Sequence, residues 1–153
     1  MQRVEAHNVR RQNHVDTDDV TADLYMACEA TKYAEYLLGL GYLQHASSSD
    51  RRNKGENLAM MMSSDLTPDN YVPEEQWYEG EIGFYDWNTH QGVGGVTGHF
   101  TAMVWRSTTS IGCGVASEVQ SWGGQAVYSV CRYDPQGNIT NAGYYEANVG
   151  QLI

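Results

Sequence analysis

The chain has 153 residues and a net charge of −10, from 19 acidic and 9 basic side chains. It is long enough to bury a core and has no run of about 18 apolar residues that would span a membrane. It also lacks the clustered Lys and Arg of a phosphate-binding face, so neither nucleic acid nor a generic anionic membrane surface is expected as a partner. The basic clusters, Arg10-Arg11 and Arg51-Arg52 with Lys54, read as solvated surface. Three cysteines, Cys28, Cys113 and Cys131, are too few for a disulfide scaffold, so the core must carry the fold. Eleven Tyr and four Trp suggest large buried side chains whose polar tips need partners.

No internal repeat or low-complexity linker interrupts the chain, and residues 1–153 read as one domain. Met1 leads into Gln2-Arg3-Val4-Glu5 with no apolar stretch behind it. The chain therefore reads either as made without a leader or as a mature domain after its removal. Residues 3 to about 13 suit a first helix, with Val4, His7-Asn8 and Arg11 at helical spacing. The strongest helix signal runs from Asp18 to Leu40. Asp18 or Asp19 can cap it, and Val20, Leu24, Ala27, Thr31, Ala34 and Leu38 form one apolar stripe. Gly39 and Gly41 end it, and Cys28, beside Ala27, reads as a small buried hydrophobe.

Ser47 to Lys54 is polar loop, and Gly55-Glu56-Asn57-Leu58 turns into the apolar Ala59-Met60-Met61-Met62. Asp69 to Tyr85 holds a helix start at Pro73-Glu74-Glu75. Thr89 to Gly98 carries Gly92, Gly94, Gly95 and Gly98 and reads as loop, while Phe100 to Trp105 fits helix or strand equally. Ile111–Val119 and Ala126–Tyr133 read as strands around the turn Ser121-Trp122-Gly123-Gly124. A hairpin closing symmetrically about Trp122 sets Cys113 opposite Cys131. The pair is then either a disulfide, in an oxidising compartment, or two buried thiols.

Five segments, in order along nearly the whole chain, resemble the CAP superfamily of cysteine-rich secretory proteins, antigen 5 and plant pathogenesis-related class 1 proteins. They are His7-Asn8-Val9-Arg10-Arg11, Leu43-Gln44-His45-Ala46-Ser47, Gly55-Glu56-Asn57-Leu58, the stretch Gly98-His99-Phe100-Thr101-Ala102-Met103-Val104-Trp105-Arg106-Ser107, and Cys131-Arg132-Tyr133-Asp134-Pro135-Gln136-Gly137-Asn138. The resemblance implies an α+β fold, a three-layer α-β-α sandwich, and a cavity with two His and two Glu. Carried over residue by residue, these are His45, Glu56, Glu81 and His99. Trp77 is followed by both Glu79 and Glu81, neither at the family's usual spacing. Glu81 is chosen because Ile82 follows it and Tyr85 lies four residues on.

Two neutral imidazoles, His45 and His99, suit a borderline divalent ion such as Zn²⁺. Glu56 and Glu81 can ligate the ion themselves, or orient the imidazoles and bound waters from behind. His7 is expected to pack or cap the first helix, while His14 and His90 read as solvated. Asn138-Ile139-Thr140 is a glycosylation sequon, though inside the signature its Asn reads as structural.

Membership of that superfamily would imply a secreted binding protein in a defence, venom, reproductive or host-interaction role. Its expected partners are a sterol or fatty acid, or a protein receptor. The segment Phe84-Tyr85-Asp86-Trp87 and the glycine-rich loop after it are candidates to line the lipid site. A metal-dependent hydrolase using the same four residues is the competing chemistry, but the chain has no H-E-x-x-H or G-x-S-x-G motif and its nearest hydroxyl, Ser47, lies in a serine-rich loop. A third reading, suggested by the few cysteines, is an intracellular, membrane-peripheral protein like the family's Golgi-associated member.

Overall fold

In the computed structural model, which describes residues 2–153, helix α1 spans Gln2–Arg11. A short strand, β1 (Thr21–Ala22), precedes the long helix α2 (Leu24–Leu40). The helix starts later than the apolar pattern predicts because its cap is Asp23, whose carboxylate accepts from the Met26 N–H at 2.9 Å. Asp18 and Asp19 serve other donors: the Asp18 carbonyl accepts from Arg11 and the Asp19 carboxylate from Gln12. At the far end Gly41 takes φ 80° and its N–H returns to the Leu37 carbonyl, the left-handed stop expected of a glycine.

Five more strands and three more helices follow. Strand β2 (Gly55–Ser63) leads to α3 (Pro73–Tyr78), and a 3₁₀ turn (Ile82–Phe84) leads to the small hairpin of β3 (Tyr85–Asp86) and β4 (Gln91–Gly92). Then come α4 (Gly98–Val104), β5 (Ser110–Val119), β6 (Gln125–Asp134) and α5 (Tyr144–Asn148). The ambiguous stretch from Phe100 is thus helical up to Val104. The main sheet has the order β1-β5-β6-β2, with β1 parallel to β5 and the other pairs antiparallel.

Strand β6 is buried on both faces, and its side chains alternate between two cores. Ala126, Tyr128 and Val130 pack with Ala30, Ala34 and Leu37 of α2. Val127, Cys131 and Tyr133 pack on the other side with Trp77 and Tyr78 of α3, and with Phe100 and Met103 of α4. The result is helix, sheet, helices: the three-layer α-β-α sandwich.

The buried stripe on α2 is turned by about one residue from the sequence expectation. Met26, Ala30, Ala34 and Leu37 are buried, while Leu24 is 82 % exposed. The cause lies in the sheet. Gly112 and Gly114 of β5 leave no room for side chains: an added Cβ would stand 2.3 Å from the Ala27 and Thr31 backbone nitrogens respectively. The helix settles into that groove, Ala27 and Thr31 lie over bare backbone, and Cys28 is turned outward. Cys28 is exposed and free, not the buried hydrophobe its neighbours suggest.

The hairpin of β5 and β6 has the expected register, with Cys113 opposite Cys131, and the two sulfurs are bonded as a disulfide. Of the basic clusters read as surface, Arg10 pairs with exposed Glu79. Arg11 is instead completely buried, with its guanidinium donating to the carbonyls of Asp18, Met103, Trp105 and Thr108.

Candidate metal centre and ligand groove

His45 lies in the extended segment after α2, and Glu56 projects from the start of β2. The His45 Nδ1–H donates to Glu56 Oε1 at 2.8 Å, and the Ala46 N–H donates to the same oxygen at 3.1 Å. Glu56 Oε2 accepts from Arg132 Nε at 3.1 Å, and the Arg132 guanidinium lies over the Tyr33 ring. The Glu56 carboxylate is thus buried but fully engaged, a condition for keeping its charge there.

His99 sits in the first turn of α4. Its Nδ1–H donates to Glu81 Oε1 at 2.5 Å, and Glu81 Oε2 accepts from the Phe100 N–H at 2.9 Å. The ring stacks on Trp77, 6.0 Å between centroids and 8° from parallel. Glu81 is therefore the inward carboxylate, while Glu79 faces solvent and holds Arg10. Asn57, next to Glu56 in β2, donates to the His99 carbonyl at 3.1 Å and so ties the two His–Glu pairs together.

Both imidazoles are held in the same way. Each gives its Nδ1–H to a glutamate, which fixes the tautomer with the lone pair on Nε2. Neither Nε2 has a hydrogen-bond partner among the described residues, and the His45 and His99 side chains are 56 % and 34 % exposed. This is the donor arrangement of a metal-ready histidine with a carboxylate behind it. It is not a cage of four ligands. The one group of three or more ligand atoms lying within 4.8 Å of one another, among the described residues, is elsewhere: His7, Glu74, Cys113 and Cys131.

His7 and His14 are structural. His7 is buried, hydrogen-bonded to the Arg3 carbonyl and the Tyr133 hydroxyl. His14 is buried too, contrary to the solvated reading. Its Nδ1 meets the Gly150 carbonyl at 2.6 Å and its Nε2 the Tyr78 hydroxyl at 2.8 Å, with Trp87 and Phe100 beside the ring. The residues it touches are 64 and 136 positions away, so nothing local in the sequence shows its burial. Asn138 takes φ 56°, donates to the Gly98 carbonyl and accepts from the Thr101 hydroxyl, securing the start of α4 beside His99.

Burial lowers the pKa of His7 to about 3 and that of His14 below its usual 6.5. The unfolded chain therefore binds more protons than the native one below about pH 6.5. Stability is expected to be full above that pH and to fall as pH drops toward 3, by about 1.4 kcal/mol per pH unit for each fully titrating histidine. Denaturant titrations at pH 7, 6 and 5 measure this, and a flat profile contradicts it.

A cavity of about 780 Å³ opens between the glycine-rich loop and the segment before α5. His90, Gly95, Val96, Thr101, Asn141 and Tyr145 are among its lining residues. It adjoins the His99 turn through Gly98 but does not contain the His45 and His99 rings. The aromatic segment expected to line it does not. Tyr85 is buried in the core, Trp87 packs on Tyr85 and Phe100, and Phe84 lies against Gly95, where an added Cβ would be 2.6 Å from its ring. The exposed apolar side chain in its lining comes instead from the loop: Val96 is 74 % exposed.

Residues 4–133 match the family model of the cysteine-rich secretory protein family, CAP. The chain belongs to the CAP family. It is 37 % identical over 146 residues to the human Golgi-associated plant pathogenesis-related protein 1, covering 95 % of this chain and 88 % of the relative. It is 36 % identical over 139 residues to the secreted protein RBT4 of Candida albicans (strain SC5314 / ATCC MYA-2876). That match covers 90 % of this chain but only 35 % of RBT4, so the chain spans about a third of that relative's length. Among solved structures it superposes on NaASP2 with Zn²⁺ at a TM-score of 0.68, with 22 % identity over 99 % of this chain and 82 % of the other. That likeness carries the fold.

Proposed function

We propose that this is a secreted binding protein whose CAP fold presents His45 and His99 to a divalent cation, zinc by the chemistry of the donors. The groove beside His99 would take a sterol or fatty acid. The observation that carries this reading is the matched pair of imidazoles, each pinned at Nδ1 by a glutamate and open at Nε2. A bound zinc would supply a Lewis acid there, with water in its remaining positions. The groove volume lies in the range of small-molecule sites, and the exposed Val96 in its lining favours an apolar ligand. The Cys113–Cys131 bond favours an oxidising compartment, and the secreted RBT4 favours secretion. A role in defence, venom, reproduction or host interaction, with a protein receptor, fits the same reading.

Hydrolysis ranks second for want of a free general base and of an activated serine: both oxygens of Glu56 and of Glu81 are already hydrogen-bonded. The Ser47 hydroxyl donates to Asp50 Oδ2 at 2.7 Å and accepts from the Asp50 N–H, so it caps its own loop and is not activated by His45. The test combines lipid capture with turnover of a broad peptide and ester library, each with and without Zn²⁺. Sterol or fatty-acid capture is expected in the wild type and in Glu56→Gln, with no turnover in either. Turnover that Glu56→Gln abolishes, with no lipid captured, would make the hydrolase the better account.

A further inference from the structure

The second cluster of ligand atoms lies under the sheet, on the side of α1 and α3. His7, Glu74 and Cys131 are completely buried and Cys113 is half-buried. Glu74 Oε1 accepts from Arg3 Nε at 2.5 Å and lies 3.5 Å from His7 Nδ1. Glu74 Oε2 is buried with no hydrogen-bond partner at all. An unpaired buried carboxylate oxygen is costly enough to need an explanation, and it belongs to the same group as two sulfurs and an imidazole. The geometry points to a redox-dependent Zn²⁺ site: when the Cys113–Cys131 disulfide is reduced, the two thiolates, His7 and Glu74 become the four ligands of a structural zinc.

The chemistry balances. A dithiol reductant gives two electrons and two protons to the disulfide and is itself oxidised to a disulfide. Zn²⁺ then displaces the two thiol protons. Two thiolates, one imidazole and one carboxylate are a donor set suited to tetrahedral zinc. The charge balances as well. With the disulfide closed, the Glu74 carboxylate and the Arg3 guanidinium cancel. With zinc bound, the ion and its three anionic ligands sum to one negative charge, which Arg3 again cancels. Arg3 Nη2 already lies 3.2 Å from Cys131 Sγ, placed to donate a hydrogen bond to a thiolate. His7 Nε2 faces the Tyr133 hydroxyl at 2.9 Å. A proton held there, donated to that hydroxyl, frees Nδ1 for the metal at the loss of its bond to the Arg3 carbonyl. A buried site that is neutral in both states avoids the penalty of an uncompensated charge.

The test uses the full chain carrying His45→Ala and His99→Ala, so that the site proposed above does not contribute, and Co²⁺ as the probe. It is run with the disulfide intact and after reduction by a water-soluble phosphine, which is oxidised to its oxide. The reduced chain is expected to bind a single cobalt ion with thiolate-to-cobalt charge-transfer absorption and native near-UV circular dichroism, while the oxidised chain shows no such band. Adding Glu74→Gln, which keeps both thiols, is expected to weaken cobalt at least about tenfold. Cys113→Ser should remove much of the charge-transfer intensity. The proposal is overturned if reduction brings no thiolate band, or if Glu74→Gln binds cobalt as tightly as its parent. A reduced chain that unfolds and does not refold with metal overturns it too.

Discussion

Replacing Arg11 by Met is expected to destabilise the protein by about 4 kcal/mol or more, the largest effect of any single side chain considered. Arg11 is completely buried, and its partners are carbonyl oxygens rather than a carboxylate. Its Nε donates to Asp18 O at 2.7 Å, its Nη1 to Met103 O and Trp105 O at 3.0 and 2.9 Å, and its Nη2 to Thr108 O at 3.2 Å. One guanidinium therefore joins the chain after α1 to the end of α4 and the turn into β5. Desolvation lowers its pKa to about 10, so it stays charged at neutral pH. Met fills much of the space but strands the carbonyls of Asp18, Met103 and Thr108, each worth about 1–3 kcal/mol when left dry, while Trp105 O keeps its bond from the Thr108 N–H. Arg11→Lys should recover less than half of the loss, because an ammonium cannot match the planar fork. Denaturant unfolding measures both variants, and a loss below about 1 kcal/mol for Arg11→Met would refute this role.

Gly114→Ala is the second large effect. The added Cβ would meet the Thr31 nitrogen at 2.3 Å and its Cα at 2.5 Å, and Gly112→Ala would meet Ala27 N and Met26 C at 2.3 and 2.5 Å. These are backbone atoms of α2 and cannot rotate away, so the helix must lift from the sheet. Overpacking of this kind costs about 1–3 kcal/mol at one site, and the pair together should prevent native packing. The consequence reaches the candidate site, because α2 delivers the chain to His45. A lifted helix should loosen the His45–Glu56 hydrogen bond and weaken metal binding. Gly39→Ala is the control. It lies in the same helix with nothing within 4 Å of an added Cβ, and it should be neutral or slightly stabilising. If Gly114→Ala proves as harmless as Gly39→Ala, the close approach is not a constraint.

What the sequence showed and hid divides along physical lines. The hairpin and its cysteine register were legible because turn chemistry and strand period are local signals. The candidate site was suggested only through motif resemblance. Glu56 and His45 are 11 positions apart, and His99 and Glu81 are 18 apart, with no shared period to announce them. Glu81 was chosen over Glu79 on an aromatic spacing, not a charge, and its carboxylate is the one hydrogen-bonded to His99. The errors came from groups whose surroundings are set by distant chain. Arg11 looked like surface because it follows Arg10, His14 looked solvated because its neighbours are polar, and Cys28 looked buried because Ala27 is apolar. In each case the deciding partner is tertiary: the carbonyls after α4, the Gly150 segment, and the glycines of β5. The start of α2 was misplaced because Asp18, Asp19 and Asp23 are equally good caps by sequence, and only the pairing of β1 with β5 selects Asp23.

The most direct measurement is titration calorimetry of Zn²⁺ into the oxidised protein, its Cys113–Cys131 bond intact, alongside His45→Ala and His99→Ala. Each substitution is expected to weaken zinc at least about tenfold. Affinity in the wild type should fall as the solution is acidified, because a protonated imidazole has no lone pair to give. Unchanged affinity in both variants would place the ion elsewhere and contradict the account.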